Sequence, residues 1–189
     1  MIRTVPDDGK EDKLESERTN GTPSETDVEG VLTCLGSAFS VFLEKEAQKQ
    51  PSSTKRITRL FAGWFSGFNP LSSDPGHQAF LDEVERIIAQ LVSNIEKIKV
   101  KRPDVSISAA ARAAEILLPP KFGRERNPAD WTLTVAEYQL IHLLPFLSAD
   151  KLKDIRATLL RRTPKRMMFP KQRELIAVID TLLKRSFSF

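Results

Sequence analysis

Between Pro75 and Val100 the large apolar residues fall at steps of three and four: Phe80, Leu81, Val84, Ile87, Ile88, Leu91, Val92, Ile95 and Ile98. A helix repeats every ~3.6 residues, so these side chains share one face, while Glu83, Glu85, Arg86, Gln90, Asn94 and Lys97 lie largely opposite. The spacing predicts a helix from about 75 to 100, started by Asp74 as N-cap with Pro75 as the first helical residue and ended by Lys101-Arg102-Pro103. A long helix with one apolar side must be covered by other elements. That need sets what the rest of the chain has to supply.

The other segments repeat the pattern. Val28, Val31, Leu32, Leu35, Phe39, Phe42 and Leu43 predict an amphipathic helix capped by Thr26 or Asp27 and ending near Gln50. Pro51-Ser52-Ser53 breaks it, and a shorter helix follows. A helix from about Ser106 to Leu118 is Ala-rich where it packs closely and stops at Pro119-Pro120, and residues 119–131 read as an exposed loop. Thr134 and Glu137 read as a capping box in front of Tyr138, Leu140, Ile141, Leu143 and Leu144, with Pro145 bending or ending that helix. Ser148 caps a helix carrying Leu152, Ile155 and Leu159 to about Arg162. Pro170 opens a last one carrying Leu175, Val178, Ile179, Leu182 and Leu183. No alternating apolar and polar run is long enough for a strand. The expected class is all-α, six or seven helices in an irregular bundle over residues 26–189. Residues 151–162 and 174–185 share Leu, Thr, Leu, Leu and Arg without gaps, a faint echo at a spacing short for a helical repeat.

Residues 1–25 hold too few large apolar side chains to offset the entropy of ordering, and they read as a disordered acidic tail. The net charge of +4 conceals a division. Residues 1–30 hold four Lys/Arg against nine Asp/Glu, and the remaining 159 residues hold twenty-five against sixteen. A basic body favours phosphate-bearing partners, anionic membranes or acidic proteins without choosing among them. One cysteine, Cys34, excludes an internal disulfide, and the first thirty residues lack the apolar stretch of a secretory signal, so an intracellular, reducing setting (cytoplasmic or nuclear) is expected. Asn20-Gly21-Thr22 is then a chance match to a glycosylation acceptor. The apolar stretches read as shorter than the ~18 residues of a membrane span.

Catalytic chemistry has little to work with. His77 and His142 are far apart, and His142, within LIHLLPFL, reads as a core or core-edge histidine. Cys34 lies among apolar neighbours with nothing local to favour a thiolate. No phosphate-cradling glycine loop, HExxH or Cys/His cluster occurs, so neither a cofactor nor a metal is expected and the chain reads as non-enzymatic.

Two surfaces remain as candidates. Ile57, Leu60, Phe61, Trp64, Phe65 and Phe68 share one side of the short helix predicted after Pro51, behind the basic start Lys55-Arg56. This face is either core or a docking surface, for a partner's groove or a membrane surface. Gly63, Gly67 and the flanking Pro and Ser residues would let the segment detach. The second is basic: Arg161, Arg162, Lys165, Arg166, Lys171 and Arg173 occur within residues 161–173 with no acid among them. They suit phosphate contacts on nucleic acid, an anionic membrane or a nuclear import signal, or are a solvated loop whose Met167, Met168 and Phe169 plug the core. The leading expectation is a protein-interaction module, an adaptor, regulator or effector-like protein, that docks through the apolar face. Nucleic-acid binding through residues 151–173 is the alternative, and self-association of the apolar face is a further outcome.

Overall fold

The computed structural model describes residues 23–49, 74–119, 128–162 and 169–186. Among them are six α-helices, two 3-10 helices and no strand, which is the all-α class expected. They are α1 (Glu25–Gln48), α2 (Pro75–Lys99), α3 (Pro103–Leu117), α4 (Pro128–Ala136), α5 (Ala149–Arg162) and α6 (Pro170–Ser186). The 3-10 helices Glu137–His142 and Leu144–Phe146 lie between α4 and α5.

The long stripe on α2 organises the body. Val84, Ile87, Ile88, Leu91 and Ile95 are at most 2% exposed, against Val28, Leu32, Leu35, Phe39 and Phe42 of α1. Each such side chain contributes roughly 1.5–3 kcal/mol of transfer free energy, which makes this seam the main cohesive element. α1 and α2 run antiparallel, and Phe80 stacks on Phe42 at 4.1 Å and meets Phe39 edge-on at 5.1 Å near the end where α1 stops and α2 starts. α3 completes the sheaf. Its Ala109, Ala110, Ala113 and Ala114 are buried, and their small side chains let its backbone approach both neighbours.

α4 and the first 3-10 helix pack along α2, the second 3-10 helix packs on α3, and α5 and α6 form a hairpin whose buried residues Leu152, Ile155, Leu159, Leu175 and Ile179 belong to the same core. Leu159 aligns with Leu182 in the sequence echo, yet Leu182 is half-buried and Ile179 takes the interior position. The two helices therefore do not present equivalent faces.

Several boundaries differ from the sequence expectation for local reasons. Ser24 is the N-cap of α1, and Asp27 is the third helical residue of a reciprocal capping box: the Ser24 hydroxyl accepts from the Asp27 N–H, and the Asp27 carboxylate accepts from the Ser24 N–H. Pro103 opens α3 three residues before the expected start, because a proline at the first helical position gives up no intrahelical hydrogen bond. The Thr134–Glu137 capping box does not form. α4 starts at Pro128, inside the expected loop, so Thr134 is already helical and donates to the Asp130 carbonyl, while Glu137 turns inward to Arg162. α1 is also long and apolar enough to cross a membrane by length and composition, contrary to the sequence expectation, but here its apolar face packs on α2 and α3. Of the predicted tail, residues 1–22 fall outside the described residues, while Ser24 and Glu25 belong to the start of α1, and the predicted aromatic helix lies wholly outside them.

Candidate functional site

The antiparallel run of α1 and α2 brings the end of one helix beside the start of the other. Glu46 and Lys49 lie three residues apart at the end of α1, and Asp74 and His77 three apart at the start of α2, so all four side chains converge. Asp74 caps α2 through the Gly76 N–H and receives Lys49 Nζ at 3.0 Å. Lys49 Nζ also lies 2.9 Å from Glu46 Oε1. The same Glu46 oxygen is 3.0 Å from His77 Nε2, and Asp74 Oδ2 is 3.5 Å from it. On the other side of the ring, Nδ1 is 2.6 Å from the Thr132 hydroxyl of α4, and Phe42 meets the imidazole edge-on at 5.2 Å.

This cluster is a clasp on three helices. Its imidazole is 2% exposed, whereas Lys49 and Asp74 stand at the surface. The Lys49 ammonium lies between two carboxylates that raise its pKa, chiefly through its hydrogen bond to Glu46. It holds the Asp74 carboxyl below the usual carboxylate range, with the Gly76 N–H adding to the effect. Sequence analysis gave His77 no role, although the signal was present: residues 77, 80, 84, 87, 88 and 91 are successive positions of one stripe. A polar side chain on an apolar stripe needs a built partner, and the clasp supplies it.

The clasp brackets residues 50–73. Ile57, Leu60, Phe61, Trp64, Phe65 and Phe68 all fall within that segment and outside the described residues. What the structure fixes is the base: the residues on either side of a connection of 24 residues, Lys49 and Asp74, are in direct contact.

Among the described basic candidates, Arg162 stands apart from the rest. Arg162 is committed to the interior, donating to Glu137 Oε1 at 2.9 Å and to the Leu118 and Pro119 carbonyls at 2.8 Å each. With Glu137 only 2% exposed, this is a buried ion pair that also ties down the end of α3, and it removes Arg162 from the phosphate-binding set. Lys171 lies over the Tyr138 ring at 5.7 Å, and burial pushes the Tyr138 phenol up. Arg161 and Arg173 are exposed, and Lys165 and Arg166 fall outside the described residues. Elsewhere in the hairpin, Lys151, Lys153 and Arg156 pair with Glu115, Asp150 and Asp180. Much of the positive charge legible in the sequence is thus neutralised locally.

His142 is exposed, not core: Glu137, Leu140 and Leu143, spaced three apart in the 3-10 winding, take the inward face. Cys34 is likewise exposed, on the outer side of α1 in a shallow groove with Gly30, Arg86, Gln90 and Asn94. Neither approaches the other or the clasp in a way that would pair a nucleophile with a base. Compared with known family models, with curated proteins and with solved structures, the chain matches none.

Proposed function

We infer that the chain is a non-enzymatic protein-interaction module, in which the helical body holds both ends of residues 50–73 and offers their apolar face to a protein partner. The observation that carries this reading is the closed base. Antiparallel helices in a bundle are joined by roughly 2–8 residues, and connections beyond about 12–15 residues usually serve a function or act as linkers. Here Lys49 and Asp74 touch, so a turn of ordinary length would join α1 to α2, yet 24 residues intervene. Those residues carry Ile57, Leu60, Phe61, Trp64, Phe65 and Phe68 at helical spacing, the pattern of a helix that docks in an apolar groove. The basic residues Lys55 and Arg56 ahead of it favour a groove with an acidic rim.

A photoreactive amino acid placed at position 65 tests the reading in cells of the source organism. Covalent capture of a second protein, lost when Phe61 and Trp64 are both replaced by Ser, is the expected result. Cross-links that map only to the chain's own α1, α2 or α4 would make the aromatic face part of the core and overturn it. Capture of RNA instead would support the basic-surface alternative.

A further inference from the structure

The geometry points to a divalent-cation site at the clasp, formed by Glu46, Asp74 and His77, at which a first-row transition ion such as Zn²⁺ competes with the Lys49 ammonium. The inference does not depend on the proposed docking role. The donor atoms of the three residues lie within 4.8 Å of one another. His77 Nε2 stands 3.0 Å from Glu46 Oε1 and 3.5 Å from Asp74 Oδ2. Donors at the ~2.0–2.1 Å bonds of a tetrahedral zinc ion are about 3.3 Å apart, so these side chains need shift only slightly to share one ion. One imidazole and two carboxylates suit zinc, manganese, iron or cobalt better than magnesium or calcium, which prefer all-oxygen sets.

Two features separate this cluster from an ordinary surface group of acids. The first is His77 itself. Its buried ring is held from behind by Thr132, the arrangement in which a ligating histidine has its other nitrogen fixed by a hydrogen-bonding partner. When the ring is neutral, Nε2–H donates to Glu46, because a carboxylate only accepts. Metal binding moves the ring hydrogen to Nδ1, which donates to Thr132 Oγ1 and leaves the Nε2 lone pair for the ion. The Thr132 oxygen has a lone pair to accept that hydrogen.

The second feature is Lys49, which shows that the two carboxylate oxygens already hold a cation between them. The Lys49 side chain is half exposed, so it can swing into water at the loss of a weak exposed ion pair with Asp74 and a partly buried one with Glu46. The exchange also improves the charge balance. With a neutral imidazole, two carboxylates and one ammonium leave one negative charge uncompensated, and two carboxylates with a divalent ion leave none. A metal at this point ties α1 to α2 and, through the His77 ring, to α4.

The test is calorimetric titration of the full chain with ZnCl₂, together with the visible absorption of a Co²⁺-loaded sample. Saturable binding at one ion per chain is expected, weakened at least tenfold by Asp74→Asn and by His77→Gln, and strengthened by Lys49→Met because the competing ammonium is gone. The surface position of Asp74 keeps the comparison usable if His77→Gln does not fold. Binding that Asp74→Asn and His77→Gln leave unchanged would place the ion elsewhere on the chain and overturn the assignment. Absence of binding to folded Lys49→Met would overturn it as well.

Discussion

Replacing Arg162 with Ala separates a buried structural cation from a surface phosphate contact. Its side chain is 17% exposed and its partner Glu137 2% exposed, so the substitution strips a buried carboxylate of its counter-ion and removes two hydrogen bonds to the Leu118 and Pro119 carbonyls. Breaking a buried pair from one side costs about 3–5 kcal/mol. The carbonyls lie at the end of α3 within reach of water and recover part of their loss, so the lower half of that range, about 3–4 kcal/mol, is expected. At about 2–4 °C per kcal/mol for a chain of this size, the midpoint of thermal unfolding falls by roughly 10 °C. Urea unfolding followed by far-ultraviolet circular dichroism measures the cost directly. The double variant Glu137→Gln/Arg162→Met removes both charges and is expected to recover more than half of it, because the penalty comes from the stranded charge and not from the missing pair. A loss below about 1 kcal/mol in Arg162→Ala, the size of an exposed ion pair, would refute the reasoning and return Arg162 to the surface set.

Leu91→Ala, at a side chain with no exposure in the centre of the α2 stripe, is expected to cost about 3–5 kcal/mol in the same assay, since the surrounding helices cannot close the cavity. Gly30→Ala should raise stability by roughly 0.5–1 kcal/mol, because Gly30 is within α1 and a Cβ there meets no atom within 4 Å. For Asp74 the folded pKa lies below the unfolded one, so its ion pair with Lys49 contributes stability above the ordinary carboxylate range and loses it as the pH falls through the lowered folded value. Stability curves of wild type and Asp74→Asn should therefore differ by less than about 1 kcal/mol at pH 6 and converge only as the pH falls below the ordinary carboxylate range, the small size reflecting solvent screening of an exposed pair.

The helices were legible because their signal is periodic. The α2 stripe, the N-cap at Asp74, the Ser148 hydroxyl accepting from the Lys151 N–H, and the start of α6 at Pro170 each depend on residues within one turn of one another. The N-cap of α1 was placed two or three residues late because Ser24, Thr26 and Asp27 are all competent caps, and the reciprocal bond to Asp27 decides between them. At residues 134–137 a correct motif was read in the wrong context. Thr134 and Glu137 have the spacing of a capping box, but the helix had already begun at Pro128 and a cation from α5 claimed the glutamate. The clasp was hidden for a different reason. Glu46 and His77 are 31 positions apart, and only the antiparallel packing of α1 on α2 makes them neighbours. Charge was the least legible property, since Arg162, Lys151 and Arg156 count as basic in sequence but spend their charge on acids brought in by the fold.

The claim that residues 50–73 are held out for a partner, and are not needed by the body, is tested most directly by excising residues 52–72 and closing the gap with a short Gly-Ser turn. The Lys49–Asp74 contact already sets the ends close enough for such a turn. Cooperative thermal unfolding with a midpoint within a few degrees of the parent, together with loss of the partner captured at position 65, is the result the account predicts. A truncated chain that is unfolded or loses cooperativity would show Phe61, Trp64, Phe65 and Phe68 to be core, and would contradict it.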